Sequence, residues 1–314
     1  MPLVLFKTKT ELLKKTHLIC ALLACASIAT AQNYIDLAKF DYASSPSNAF
    51  DSSAATTTLH EMNGNLSLPI VVSDDFTILT GVIYENTVAS FNPNRGDEYL
   101  TGLCLKLGAN FKHNEKWSGT YLLLPKISSD FKGIGKQDIQ LGGAVVMKYI
   151  KSEHFSYKFG VYGNNELFGP FIVPILGFYY LSPSSKFEAK ALLPLSLDLN
   201  YTVAKGARVG LEFKGQVRSY NVNTSIAGEV NAYVERSTKD LYTYFQYGTE
   251  KGLNFQVGLG RSLGRTYRMY NEKVSFGLPL YNFGDNRTQL NSGFSDGWLF
   301  RLSVFYRLKL GDDS

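Results

Sequence analysis

The sequence predicts an all-β protein: an antiparallel up-and-down transmembrane β-barrel of about 14 strands, within a range of roughly 12 to 16. Three observations carry that expectation. A short export signal precedes a chain that has no run of apolar residues long enough for a helical span. Period-two alternation of apolar and polar residues recurs through most of the remainder. Aromatic residues repeatedly begin or end the apolar faces, as they do at the two interfaces of a bilayer.

The N-terminus comes first. Lys7, Lys9, Lys14 and Lys15 precede an apolar core from Leu18 to Ile28. That core is too short to cross a bilayer and suits a secretory signal. Ala29-Thr30-Ala31 supplies the small residues a signal peptidase needs, so residues 1–31 read as a cleaved signal peptide. Residues 32–314 read as the barrel domain, with 32–54 either an N-terminal strand or a plug segment. Leu22-Leu23-Ala24-Cys25 offers a competing cut that would place a lipid on Cys25. Cleavage after Ala31 leaves 28 basic and 26 acidic residues. The basic balance of the whole chain is therefore largely a property of the signal, and a nucleic-acid partner is not expected. Only Cys104 remains, which excludes an internal disulfide and a cysteine metal cluster.

The strands follow from alternation. From Tyr99 to Phe111 one face reads Tyr99, Thr101, Leu103, Leu105, Leu107, Ala109, Phe111, and the other Leu100, Gly102, Cys104, Lys106, Gly108, Asn110. Similar runs occupy 139–149, 155–161, 208–218, 253–260 and 298–310. Phe187 to Val203 keeps one register throughout and reads as a single long strand. Polar turn sequences lie at 73–75, 113–116, 151–154, 182–186, 237–240 and 249–252. Longer Gly-, Asn- and Pro-rich links lie at 43–54, 91–98, 129–137, 163–170 and 271–296. Short turns on one rim and long loops on the other are the pattern of an up-and-down membrane barrel. The count is about 14 if 187–203 is one strand, and about 16 if Pro194 and the Gly264 region each hide a turn. A soluble sandwich would show the same alternation, but the aromatic ends and the signal favour lipid.

The spacing of "LFGPFIVPILGFYYLSPSSKFEAKALLPLSLDLNY", of "GQVRSYN" and "GRTYRMYNEK", and of "FGDNRTQLNSGFSDGWLFRLSVFYRL" resembles an uncharacterised family of Bacteroidota outer-membrane β-barrels. The resemblance implies a fold and a location, the cell outer membrane. It implies outer-membrane lipid and the barrel assembly machinery as partners. It implies no activity.

No catalytic, cofactor or metal site emerges. His113 and His154 fall in short turns. His60 and Ser67 are seven apart on one strand and so point to opposite faces, which rules out a nucleophile–base pair along it. "GLGRSLG" at 258–264 belongs to an alternating strand and not to a phosphate loop. "LFGPFIVP" at 167–174 is a connecting loop or an inward plug. Asp285 and Arg287, on the long-loop rim, are candidates for contact with a partner or ligand, or for a salt bridge within the loop.

The polar faces predict the lumen. Its candidate lining is Lys106, Lys148, Lys158, Lys190, Arg208, Glu212, Lys214, Arg218, Arg301 and Arg307. Glu61, Glu188, Asp198, Glu229, Glu235 and Lys309 complete the set. Basic residues outnumber acidic ones, 10 to 6. Such a lumen is either closed by ion pairs or lined for a small polar solute with mild anion preference. Two functions stay open: a small-solute channel or uptake barrel, and a non-transporting barrel that presents loops to partners. An enzyme is the weakest reading.

Overall fold

The computed structural model describes residues 34–93, 96–222 and 231–309. The signal peptide, its cleavage site, Cys25, Glu229 and the tail from Leu310 to Ser314 lie outside the described residues.

The strands are β1 (Tyr34–Ala49), β2 (Thr56–Ser73), β3 (Phe76–Ala89), β4 (Glu98–Lys112), β5 (Trp117–Ser129), β6 (Ile139–Ser152), β7 (Phe155–Glu166), β8 (Gly169–Leu181), β9 (Phe187–Leu193), β10 (Ser196–Ala204), β11 (Ala207–Asn221), β12 (Tyr233–Gly248), β13 (Leu253–Ser262), β14 (Thr266–Tyr270), β15 (Phe276–Leu278), β16 (Tyr281–Phe283) and β17 (Trp298–Lys309). Strands β1 to β13 and β17 form a closed antiparallel barrel of 14 strands. The ring closes where β17 pairs with β1 on one side, Arg301 opposite Ala43, and with β13 on the other, Leu302 opposite Val257. Closure matters because every wall strand then has a neighbour on both sides over part of its length, which pairs most of its backbone N–H and C=O groups.

The surface is inverted relative to a soluble protein. Along β13, Leu253, Phe255, Val257 and Leu259 are exposed while Asn254, Gln256, Gly258 and Gly260 are buried. Along β17, Trp298, Phe300, Leu302 and Tyr306 are exposed while Arg301, Ser303 and Phe305 are buried. Aromatic rings gather beside the short turns on the outer face. Phe76 stacks on Phe111 at 4.7 Å, Phe155 meets Tyr157 at 4.8 Å, and Trp117 meets Tyr149 at 5.0 Å.

Three sequence expectations are corrected. Phe187–Val203 is not one strand. It folds back at Leu193-Pro194-Leu195 so that Ser196 lies opposite Leu192, and the Leu195 N–H donates to the Leu192 carbonyl at 2.7 Å. Three residues separate the paired positions, so in and out alternate straight through the turn and period two cannot reveal it. The Gly264 region is a bend and not a turn. β13 leaves β12 at Ser262, Gly264 takes φ 69°, and β14 resumes along the same edge of β12. A left-handed φ there suits glycine alone without strain.

The second correction concerns 163–170, expected as a long loop. β7 runs to Glu166 and β8 starts at Gly169, so the link is two residues, Leu167 and Phe168. Pro170 and Pro174 obscured the strand. Both lie where β8 has a barrel strand on one side only, since β9 pairs with it from Leu176 onward. An edge is where a sheet tolerates proline. The third is the turn expected at 237–240, which lies in mid-strand in β12. Residues 34–49 form a wall strand between β17 and β2.

Candidate functional site

The interior is shaped first by a short hairpin. β10 pairs with β11 only as far as Lys214, and β9 with β8 only as far as Leu176. Above that level, towards the long loops, neither β9 nor β10 separates Gly169–Ile175 of β8 from Gly215–Asn221 of β11. A buried apolar cluster of Phe168, Phe171, Val173, Tyr233, Tyr270 and Val274 fills this notch, with Leu195 and Val217 packed against it. β15 lies alongside, pairing Gly277 with Phe171.

The free end of β11 crosses to the opposite wall. Asn221 pairs in parallel with Ser129 of β5, and the Asp130 N–H donates to the Asn221 carbonyl at 3.0 Å. Ser219 anchors the crossing. Its hydroxyl and its backbone N–H both donate to Glu166 Oε2, at 2.6 and 2.8 Å. Glu166 Oε1 accepts from Lys126 at 2.9 Å. Ser128 Oγ and Gln140 Nε2 donate to the Ser219 carbonyl at 2.9 and 3.0 Å. A second apolar cluster, including Phe50, Phe91, Leu100, Tyr220, Met269 and Phe294, packs at the same end. The long-loop mouth is therefore filled by protein.

Most predicted lumen residues meet in a network on the half of the barrel running from β9 through β17 and β1 to β3. Arg301 binds Glu212 across two intervening strands and lies over the Tyr242 ring at 4.1 Å. Lys214 stands 3.5 Å from Asp41 of β1 and 3.6 Å from Glu212. Arg218 Nε meets Glu85 of β3 at 3.3 Å, and Gln216 binds the same carboxylate. Lys190 pairs with Asp198 at 3.2 Å and Glu188 at 3.6 Å, and Arg208 reaches Glu188 at 3.4 Å. Tyr34 of β1 donates across the lumen to Glu188 at 2.7 Å. Arg307 binds Asp36 through Nε at 2.6 Å and Nη2 at 3.0 Å. Nearer the mouth, Arg236 and the Tyr267 hydroxyl both donate to Glu61, each at 2.7 Å.

Lys106, Lys148 and Lys158 differ. Lys106 binds the neutral Asn65 at 2.7 Å and the Ser67 hydroxyl at 2.5 Å. Lys148 and Lys158 are directly opposed on β6 and β7. Neither makes an ion pair or a side-chain hydrogen bond among the described residues. Both are partly accessible to water, as are their inward neighbours Leu122, Ala144, Val146 and Gly160. Cys104 sits on the same side, opposite Ile83 and Lys126.

Sequence reasoning missed Asp36, Asp41, Glu85, Lys126, Glu166 and Arg236. The signal that could have found them is the need of each inward cation for a carboxylate. Glu235 was expected inward, but Arg236 takes that register and Glu235 meets Arg287 on the other face of β12. The false turn at 237–240 had reset the alternation.

The loop pair is also placed. The Arg287 side chain is buried and donates to Glu235 at 2.6 Å, Asp285 at 2.8 Å and Tyr233 Oη at 2.9 Å, above the Tyr270 ring at 3.9 Å. These bonds hold the Asp285 carboxyl below its ordinary value. Asp285 keeps a third of its side chain exposed, whereas the Arg287 side chain is only 2% exposed. His60, on the outer face, accepts or donates a 2.8 Å bond with the Tyr42 hydroxyl. Among the described residues no group of three or more His, Cys, Asp or Glu side chains is placed to hold a metal ion.

The chain is similar to an outer membrane channel from Pseudomonas putida F1, with 11% identity over 88% of this chain and 95% of that one and a TM-score of 0.45. It is similar to the toluene transporter TodX of Pseudomonas putida, with 10% identity over 92% and 93% and a TM-score of 0.37. A FadL homologue from Pseudomonas aeruginosa matches at 12% identity over 90% and 92%, with a TM-score of 0.35. No match is found among curated proteins. The model of one family, described as Domain of unknown function (DUF6268), matches residues 23–278, most of the chain and all but the last wall strand, and the chain belongs to that family.

Proposed function

We propose that this protein is an integral outer-membrane barrel that admits small solutes through the β4–β8 side of its lumen. The observation that carries the reading is a stretch of the inward register, Lys106, Leu122, Ala144, Val146, Lys148, Lys158 and Gly160, that is only partly buried and whose lysines make no ion pair among the described residues. It stands beside a half in which the cations are paired to carboxylates. The exposed apolar belt and the aromatic rings beside the short turns support a bilayer as solvent. Exported closed barrels of this kind belong to outer membranes, where short turns face the periplasm. Outer-membrane lipid and the barrel assembly machinery are the proposed partners, and no reaction is assigned.

The filled long-loop mouth supports a second reading, a barrel that carries surface loops and conducts nothing. Planar-bilayer recording separates the two. Discrete conductance with anion preference is expected of a lumen with unpaired lysines. Correctly folded protein that passes no ions, and does not speed the swelling of solute-loaded liposomes, would overturn the transport reading.

A further inference from the structure

We infer that Lys148 and Lys158 form a receptor for the head group of an amphiphilic organic acid, a carboxylate joined to a slim apolar body. The inference rests on reading the β4–β8 side of the lumen as a solute compartment, and it names the class of solute.

The two lysines are Cα partners on adjacent antiparallel strands, so their side chains leave the wall side by side. Like charges placed directly opposite repel, and sheets normally avoid them. Here no carboxylate among the described residues is within salt-bridge distance to relieve the repulsion. The strand neighbour of Lys148 on β5 is Ser118, and that of Lys158 on β8 is Gly177. Strands β4 to β8 carry only two carboxylates, Glu98 and Glu166, both at the long-loop end. Glu166 is already held by Lys126 and Ser219. Tyr179, beyond Lys158 on β8, donates its hydroxyl to Glu188, and Lys190 of β9 is paired to Glu188 and Asp198.

Every arginine in the predicted lumen lining has a carboxylate within salt-bridge distance, as do Lys190 and Lys214. A pair of ammonium groups left without one is the complement of an oxyanion. A carboxylate between them would receive charge-assisted hydrogen bonds from both and remove the repulsion.

The wall above the pair specifies the rest of the ligand. The next inward residues towards the long loops that stay partly accessible are Val146, Gly160 and Thr120, then Ala144, Tyr162 and Leu122, while Ile175 and Val173 beside them are already covered by protein. Two such rungs extend about 13 Å along the strands, enough for an aromatic ring or a short alkyl chain. A fully polar ion would leave this surface uncovered. An apolar molecule without a charge would leave the lysines unrelieved.

The test uses the full mature protein, purified as the heat-modifiable folded species, with benzoate, benzyl alcohol and inorganic phosphate as probes in calorimetric titration. Benzoate is expected to bind about ten- to a hundredfold more tightly than benzyl alcohol, the worth of a charge-assisted contact. The K148Q/K158Q double variant is expected to lose that advantage, and K148R/K158R to keep most of it. Both variants must show the folded band, so that loss of binding is not loss of the barrel. Equal binding of benzoate to wild type and K148Q/K158Q would overturn the site. Phosphate binding as tightly as benzoate would overturn the apolar body. Conductance without benzoate binding removes this inference and leaves the transport reading standing. Benzoate binding without conductance or flux does the reverse.

Discussion

The two halves of the lumen share one barrel and opposite treatments of charge. From β9 through β17 and β1 to β3, cations and carboxylates interleave, and ion pairs reach across the interior. From β4 to β8, lysines recur while the two carboxylates stay near the mouth. In a confined lumen a charge is held by a partner, by water or by a ligand. The paired half neutralises its own charges, although Arg208 and Lys214 stay partly accessible. The unpaired half must keep water or admit an anion, and its inner wall is the one lined by small and apolar residues between the lysines.

The largest expected effect comes from breaking a pair in the closed half. Replacing Glu61 by Ala leaves Arg236 buried without its carboxylate and strips the Tyr267 hydroxyl of its acceptor. Removing one member of a buried pair costs about 3–5 kcal/mol. Urea titration followed by the heat-dependent gel shift should show that loss. Lys148→Ala in the open half should cost little, within about 0.5 kcal/mol, or stabilise by removing a like-charge contact. Equal losses from the two variants would erase the distinction between the halves.

Next comes the wall of the open half itself. Leu122 points inward and Leu123 outward, where it is exposed in the apolar belt. Leu123→Arg puts a cation into hydrocarbon and should cost about 2–4 kcal/mol near the bilayer midplane. Leu122→Arg puts the same cation into the lumen and should still assemble, with a stronger anion preference in bilayer recordings. If both assemble, the belt does not face lipid at this height. If neither does, the lumen has no room for a side chain there.

How much of this was legible follows from the same division. In the unpaired half Lys106, Lys148 and Lys158 fall on clean alternating faces, so their register needs no partner to be assigned. The pairs of the closed half could not be read in this way. Arg301 and Glu212 are 89 residues apart, and Arg236 and Glu61 are 175 apart. Period two says that each points inward but not which one it meets. The hairpin at Pro194 could be raised only as an alternative, for a different reason, since a three-residue link preserves parity. That turn leaves β9 and β10 short, and their shortness opens the notch that lets β11 cross to β5 and close the mouth. A residue pattern records direction at each position, whereas the site depends on where a strand stops.

The smallest expected effect lies outside both halves, on the long-loop rim, where a pair partly in water contrasts with the buried ones. Hydrogen bonds from Arg287 hold the Asp285 carboxyl below its ordinary value of 3.8, with partial burial opposing. A depressed carboxyl contributes stability that is complete above the unfolded value and is lost as pH falls through the folded one. The clasp should therefore hold at neutral pH and loosen only below about pH 4. Because a third of the Asp285 side chain is exposed, solvent screening limits its worth to under about 1 kcal/mol. Asp285→Asn should leave the barrel's urea midpoint almost unchanged, while proteolysis of the 271–297 segment becomes faster at neutral pH. Wild type should approach that rate only in acid. Arg287→Ala should cost more, because it also abandons Glu235, Tyr233 and the Tyr270 ring. An Asp285→Asn effect as large as that of Glu61→Ala would mean that the rim, and not the interior, holds the barrel shut.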